Sequence, residues 1–541
     1  MGTPHRAGAM GTPVGDPANW GRATEESPMY LKSLGSSLAM VLLMTPDAHA
    51  ATCASLLTLG LPNTTVTLAQ PVAAGAFAPP ATGGGPPPQP AVFTQLPAFC
   101  RVAATLRPSI DSDIRIEVWM PLAGWNGKFQ GVGNGGFAGS ITYTSGSGGI
   151  ERGMAEALKR GYATASTDTG HVGGTAAPFL DHPERLVDFG YRAVHEMTVA
   201  AKAMIDAFYG TGPRLSYWNG CSTGGRQGLM EAQRFPSDYD GIIAGAPANP
   251  QTRLSAWNVH VGKMAARPMH AIPPSKYPMI HRAVLNACDG RDGLQDGLIG
   301  DPAACRFDFA ALECKGADAP SCLTPAQVET ARTVTTPAVH SQTGELIFPG
   351  LALGTELGWA TKIGGPEPSP LGTEFFKYIV YKDPSWNWRT FDLESAVAPA
   401  DRLDNGTLNV TADLRAYRQR GGKLLLYHGW RDQNFSAQST INYYKSALET
   451  VGAARTEEWV QLFLAPGVGH CGGGEGPNAF DPVTALEQWV EQGKAPGQII
   501  ATRRVDGKVT RSRPLCPYPQ VAKYRGRGSI DEAASFACVA P

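Results

Sequence analysis

Neither sign of charge dominates this 541-residue chain: 46 Lys and Arg stand against 47 Asp and Glu. Without a basic or acidic excess there is no electrostatic footprint for nucleic acid or for an anionic membrane surface. Downstream of residue 50 no apolar run approaches the roughly 20 residues that a membrane-spanning helix needs, so no span is expected in the mature chain. None of the ten cysteines falls in a C-x-x-C pair, which argues against a structural zinc site or a thioredoxin-like redox centre. No internal repeat is found. With 64 glycines and 44 prolines, the chain reads as loop-rich and not as a helical bundle.

What is present begins with an address. Lys32 precedes an apolar run from Leu34 to Met44, and Ala48-His49-Ala50 offers a small-x-small cleavage site. This is the layout of a secretory signal peptide, with cleavage expected after Ala50. The polar residues 1–28 are unusual for such a segment, and Met29 is an alternative start to Met1. A secreted or periplasmic location follows, and there an even number of cysteines is expected to pair as disulfides.

Past the signal, the Pro/Gly-rich stretch from Pro71 to Pro90 suits neither a helix nor an interior strand, and Cys53 and Cys100 bracket it. Strand patterns follow at Ile114–Met120, Lys128–Gln130, Tyr162–Ser166, Leu215–Trp218 and Asp240–Ala244. Helical patterns lie between them at Glu151–Arg160, Tyr191–Tyr209 and Gly225–Phe235. The alternation returns late, with strands Lys423–Tyr427 and Trp459–Leu464 around a helix at Asn442–Val451. Such alternation predicts an α/β fold with a parallel sheet covered by helices. Residues 249–411 interrupt it with a stretch rich in Trp, Pro, Gly and Cys, read as a large lid insertion. The expected organisation is an N-terminal extension and signal (1–50), a first part of the α/β domain (51–248), the lid (249–411) and a second α/β part (412–541).

Gly220-Cys221-Ser222-Thr223-Gly224 follows a strand and precedes a helix, the setting in which G-x-S-x-G is a nucleophile elbow of the α/β-hydrolase fold. A serine nucleophile needs a base to take its proton and an acid to hold that base. In this fold the chain order is Ser, acid, His. Asp432 sits just past the strand Lys423–Tyr427, and His470 just past Trp459–Leu464. His428 is a rival to His470, but it precedes Asp432 and is read as a structural residue of the aspartate loop. Cys221 adjoins Ser222 and Cys471 adjoins His470, so a Cys221–Cys471 disulfide would staple the two catalytic loops together. For the oxyanion hole, the Thr223 N–H and an N–H from the loop Gly131–Gly136 are expected, with Gly133 chosen as the second donor.

Inside the insertion, Asp289, Asp292 and Asp296 punctuate a glycine-rich loop flanked by Cys288 and Cys305. Hard cations such as Ca²⁺ take several oxygen ligands, and glycines let a loop curl around the ion. The spacing is not that of an EF-hand. A structural calcium is expected here, and no organic cofactor.

Several stretches together resemble the tannase and feruloyl esterase family, which includes mono(2-hydroxyethyl) terephthalate hydrolases. They are Gly220-Cys-Ser-Thr-Gly-Gly-Arg-Gln-Gly228, Arg234-Phe-Pro-Ser-Asp-Tyr-Asp-Gly-Ile-Ile-Ala-Gly-Ala-Pro247, the Asp289–Leu298 loop, Tyr427-His-Gly-Trp-Arg-Asp432, Pro466-Gly-Val-Gly-His-Cys-Gly-Gly473 and Arg513-Pro-Leu-Cys-Pro-Tyr-Pro519. The resemblance spans nearly the whole mature chain. It implies a Ser222, Asp432, His470 triad and a lid calcium held by Asp289, Asp292, Leu294, Asp296 and Leu298. It further implies the pairs Cys53–Cys100, Cys288–Cys305, Cys314–Cys322 and Cys516–Cys538, and Phe435 as a pocket aromatic. An arginine that the terephthalate enzymes use for a free carboxylate has no counterpart that can be placed in this lid. The stretch from Phe375 to Arg389 is closer to the feruloyl esterase and tannase members, and its aromatics suit a flat phenolic acyl group.

The expected activity is hydrolysis of a hydroxycinnamate ester, a small aromatic ester or a feruloylated polysaccharide. Gallate and terephthalate esters are alternatives of the same chemistry, and so is acyl transfer to an alcohol. A calcium-stabilised binding protein without catalysis is the alternative of a different class.

Overall fold

In a computed structural model of the chain, residues 52–80, 90–145 and 150–540 are described. The signal segment and its Ala50 cleavage site lie outside them. A single sheet of nine strands organises the molecule: β1 (Thr64–Val72), β2 (Phe99–Leu106), β3 (Ile114–Pro121), β4 (Lys128–Val132), β5 (Ala163–Thr167), β6 (Leu215–Cys221), β7 (Gly241–Gly245), β8 (Lys423–Gly429) and β9 (Val460–Ala465). Their spatial order is β1-β2-β3-β5-β4-β6-β7-β8-β9. From β5 to β9 all neighbours run parallel, whereas β1, β2, β3 and β5 pair antiparallel.

The expected parallel sheet is therefore mixed, and composition explains where it changes. Every residue of β4, β5 and β7 is buried, as a strand covered on both faces requires. Strand β1 is mostly exposed. Pro71 belongs to β1, opposite Cys100, and a proline is tolerated there because β1 is an edge strand. Neither β1 nor β2 was expected from the sequence pattern.

Alternate residues feed two cores. Ile242, Leu424 and Leu426 pack on one face with helix α1 (Ala193–Tyr209). Ile243, Leu425 and Tyr427 pack on the other. The inserted residues share that second core: Trp257, Trp359 and Phe375 join the same cluster as Ile243 and Leu425. The insertion thus leaves from the end of β7 and returns to the neighbouring β8 with its apolar side merged into the sheet domain. The C-terminal tail adds two hairpins, Ile499–Val505 with Lys508–Leu515 and Val521–Tyr524 with Phe536–Val539. All five expected disulfides are formed. Among the described residues no helix is long and apolar enough to cross a membrane.

Candidate active site

Strand β6 ends at Cys221 and helix α2 (Thr223–Arg234) starts two residues later, leaving Ser222 alone in the turn. Its backbone sits at φ 63°, ψ −122°, a conformation that L-residues adopt at a cost of roughly 1–3 kcal/mol and that clusters at functional sites. The turn is held by the Ser222 N–H donating to Gly245 O at 3.0 Å, and by Ser222 O accepting from Arg226 and Ala248. Gly220 is required because a Cβ there would lie 2.4 Å from Gly224 O. The first turn of α2 folds back that closely on the strand.

Asp432 lies just beyond the end of β8, 1% exposed. Its Oδ2 accepts from His470 Nδ1 at 2.7 Å and from His428 Nε2 at 3.0 Å. Its Oδ1 accepts the N–H groups of Asn434 and Phe435. Burial alone would raise this carboxyl, but the two histidines outweigh it and hold Asp432 well below the usual carboxylate range. His428 is fully buried and anchored at its other nitrogen by Thr440 Oγ1 at 2.7 Å. It is a second orienter of the aspartate, while His470 uses Nδ1 for Asp432 and leaves Nε2 without a protein partner among the described residues.

The Cys221–Cys471 bridge, with Cα atoms 5.9 Å apart, ties the residue before Ser222 to the residue after His470. Ser222 and His470 then share the wall of one cavity with Thr223, Gly136, Phe435 and Lys362. The free space they enclose is narrow, about 40 Å³, smaller than typical small-molecule sites. Phe435 meets His470 edge-on, with ring centroids 4.9 Å apart.

The family model for tannase and feruloyl esterase matches residues 100–539. The chain belongs to the tannase and feruloyl esterase family. An uncharacterized esterase of Xanthomonas campestris pv. campestris is 36% identical over 549 residues, covering 92% of each chain. A probable feruloyl esterase B-2 of Aspergillus terreus is 35% identical over 462 residues, covering 81% of this chain and 86% of its own. The crystal structure of feruloyl esterase B from Aspergillus oryzae superposes with a TM-score of 0.82 at 30% identity, covering 90% of this chain and 99% of that one. The protein is a carboxylic ester hydrolase with the hydrolase fold of these relatives.

Two expectations about this esterase need correction. Gly133 is not free to serve an oxyanion, because its N–H donates to Asn219 O at 3.1 Å within the sheet. It is glycine for a packing reason, since a Cβ would lie 2.6 Å from Gly224 Cα. The Asn134 N–H is likewise engaged, by Gln227 Oε1. Gly136 lines the cavity beside Ser222 and Thr223, and no acceptor for its N–H is found among the described residues. Its carbonyl accepts from Thr223 Oγ1 at 2.6 Å, which brings the glycine loop onto the start of α2. The second correction concerns the lid aromatics. Phe375, Phe376, Trp386 and Phe391 pack edge-on or tilted among themselves and do not line the cavity. The aromatic walls come instead from Phe137, Phe189 and Phe435.

Lys362, Gln251 and Asn258 also line this cavity, and the sequence pattern singled out none of them. The glycine-rich run that contains Gly136 was the one usable signal for the oxyanion loop.

The acidic loop of the esterase is closed by Cys288–Cys305. Asp289 accepts from the Asp296 and Gly297 N–H groups, Asp292 from Leu294 N–H, and Asp296 from Leu298 N–H. Asp296 also pairs with Arg513 at 2.6 Å. Burial pushes the Asp292 carboxyl up, and the charges of Asp296 and Asp289 add to it. A Cβ on Gly300 would lie 2.3 Å from Asp292 Oδ2, so this carboxylate faces a cradle that only glycine leaves open. All-oxygen donors around such a cradle fit a hard cation. A tighter trio, His195, Glu231 and Asp238, satisfies itself differently. His195 and Asp238 bond each other at 2.7 Å, and burial followed by the Asp238 charge drives Glu231 toward its protonated form.

Proposed function

We propose that this esterase hydrolyses aromatic carboxylic esters of the hydroxycinnamate type through an acyl-enzyme on Ser222. The observation that carries the reading is the shared cavity: nucleophile, His470 and three phenylalanines face the same space. Aromatic walls of this kind suit a flat aromatic acyl group. Relatives named as probable feruloyl esterases over most of the chain support the same substrate class.

Ser222 Oγ attacks the ester carbonyl while His470 Nε2 takes its proton. Asp432 balances the imidazolium through the 2.7 Å bond to Nδ1. The N–H groups of Thr223 and Gly136 stabilise the tetrahedral oxyanion. Loss of one such donor costs roughly 10²–10³ in turnover. His470 returns its proton to the leaving alcohol, the alcohol departs, and a water activated by the same histidine releases the acid.

Calcium is part of this proposal. Asp289, Asp292 and Asp296, with the carbonyls of Leu294 and Leu298, would hold it, and its contribution is to brace the insertion. Five disulfides favour an oxidising compartment, in keeping with export directed by the segment ending at Ala50.

The deciding experiment compares rates on methyl ferulate, methyl gallate and mono(2-hydroxyethyl) terephthalate, with Ser222→Ala as control. The expected result is a preference for ferulate, reduced by several orders of magnitude in the variant. Preference for gallate or terephthalate would move the substrate class and leave the chemistry intact. Equal turnover by Ser222→Ala would remove the serine mechanism.

A further inference from the structure

Three lysines among the described residues are buried, and two of them are matched. Lys276 Nζ donates to Asp318, Gln327 Oε1 and Cys322 O. Lys128 Nζ pairs with Glu487 at 2.7 Å and with Glu491. The third, Lys362, is 4% exposed, yet its ammonium has no hydrogen-bond or ion-pair partner among the described residues. The nearest anion it senses is Asp432, which already accepts from two histidines and two backbone N–H groups. An uncompensated buried charge is costly.

Lys362 lines the catalytic cavity, whose other walls include Phe137, Phe189 and Leu254. Its short helix, Ala360–Ile363, is fixed against the aspartate loop. Thr361 Oγ1 donates to Gln433 O at 3.3 Å. Gly358 leaves no room for a Cβ, which would meet Gln433 Cβ at 2.4 Å. The short helix thus places Lys362 in a wall shared with apolar side chains and with Gln251, Asn258 and Asn434.

We propose that Lys362 is a substrate-binding residue that receives an acidic oxygen, a phenolic hydroxyl or a carboxylate, carried by the aromatic ring of the acyl group. The inference rests on the aromatic-ester reading above. Burial lowers the lysine to about 8, so it remains mostly protonated at neutral pH and can donate a charge-assisted hydrogen bond. A ring lying between the phenylalanines brings its polar substituent to Lys362 while its ester carbonyl faces Ser222. A ring without that substituent leaves the ammonium desolvated and unpaired, and sites of this kind reject such analogues strongly.

The test measures kcat/KM on three esters: methyl cinnamate, with no acidic oxygen on the ring; methyl p-coumarate, with a phenol; and monomethyl terephthalate, with a carboxylate. The wild type is expected to favour one or both oxygenated esters over cinnamate by about 10- to 100-fold. Lys362→Met should shrink that preference by lowering turnover of the oxygenated ester more than that of cinnamate, and Lys362→Arg should keep part of it. Loss confined to p-coumarate or to terephthalate identifies which oxygen the site reads. No preference in the wild type overturns the inference without any variant. An equal fall on all three esters in Lys362→Met also overturns it, assigning the lysine to support of Asp432 or of the fold. Turnover of none of the three by the wild type would overturn the aromatic-ester reading itself, and the inference with it.

Discussion

Two carboxylate sites in this esterase meet opposite electrostatic surroundings. Asp432 is enclosed, yet every lone pair in use faces a donor: two histidines and two backbone N–H groups. Its carboxyl is held low despite burial. In the 289–296 loop Arg513 and Arg511 both face Asp296, while Asp292 has a backbone N–H and is pushed up by burial and by its neighbours. Desolvation acts on both; the difference is the supply of positive charge. Asp432 is answered within the protein, whereas the loop would be completed only by the proposed calcium. One site should therefore be insensitive to metal and intolerant of mutation, and the other the reverse.

The sharpest way to break that contrast is to neutralise the complete site. Asp432→Asn keeps the volume but removes the charge that balances the His470 imidazolium and fixes its tautomer. Turnover of methyl ferulate should fall about 10⁴-fold, with the protein still folded by circular dichroism. A loss under tenfold would mean that Asp432 is a structural carboxylate and that the acid of the triad lies elsewhere.

A smaller effect is expected from the second histidine. The fully buried His428 donates to Asp432 Oδ2 and is itself braced by Thr440. His428→Ala frees the carboxylate to rotate, and misplacement by about 1 Å can cost on the order of 10²-fold. The fall should appear in kcat with KM little changed, and His428→Gln, which can still donate to Asp432, should recover part of it. Equal stability and equal kcat in His428→Ala would leave the aspartate oriented by its backbone donors alone.

Much of this was readable before any coordinates. G-x-S-x-G between a strand and a helix places Ser222, and residues just past apolar strands place Asp432 and His470, because all three depend on local patterns. The Cys221–Cys471 pair was readable for the same reason, each cysteine adjoining a residue of the expected triad. What was not readable depends on tertiary closure. Gly133 and Gly136 are indistinguishable in a glycine-rich run, and only the sheet register shows that Gly133 N–H is already bonded to Asn219. Lys362, in Ala-Thr-Lys-Ile-Gly-Gly, resembles any exposed helix-end lysine until the insertion folds over it. Strand β1 has too few buried residues to show an alternation. The aromatic run near Phe375 signals a packed cluster as readily as a substrate wall, and it is the cluster that forms.

The gentlest perturbation addresses the incomplete site. If calcium occupies the 289–296 loop, binding to the folded chain alone stabilises it by RT ln(1 + [L]/Kd), about 2.7 kcal/mol at a hundredfold excess over Kd. For a chain of this size that amounts to a few degrees in Tm. Chelation should lower Tm by that much, calcium should restore it, and magnesium should do so poorly, because it demands a tighter octahedral shell. Asp292→Asn should abolish the calcium-dependent shift, while Asp432→Asn should leave that shift intact despite its far larger effect on turnover. A melting curve unmoved by complete metal removal would show that Arg513 and the loop N–H groups suffice for these carboxylates. The raised Asp292 carboxyl would then be a tolerated strain with no ion behind it.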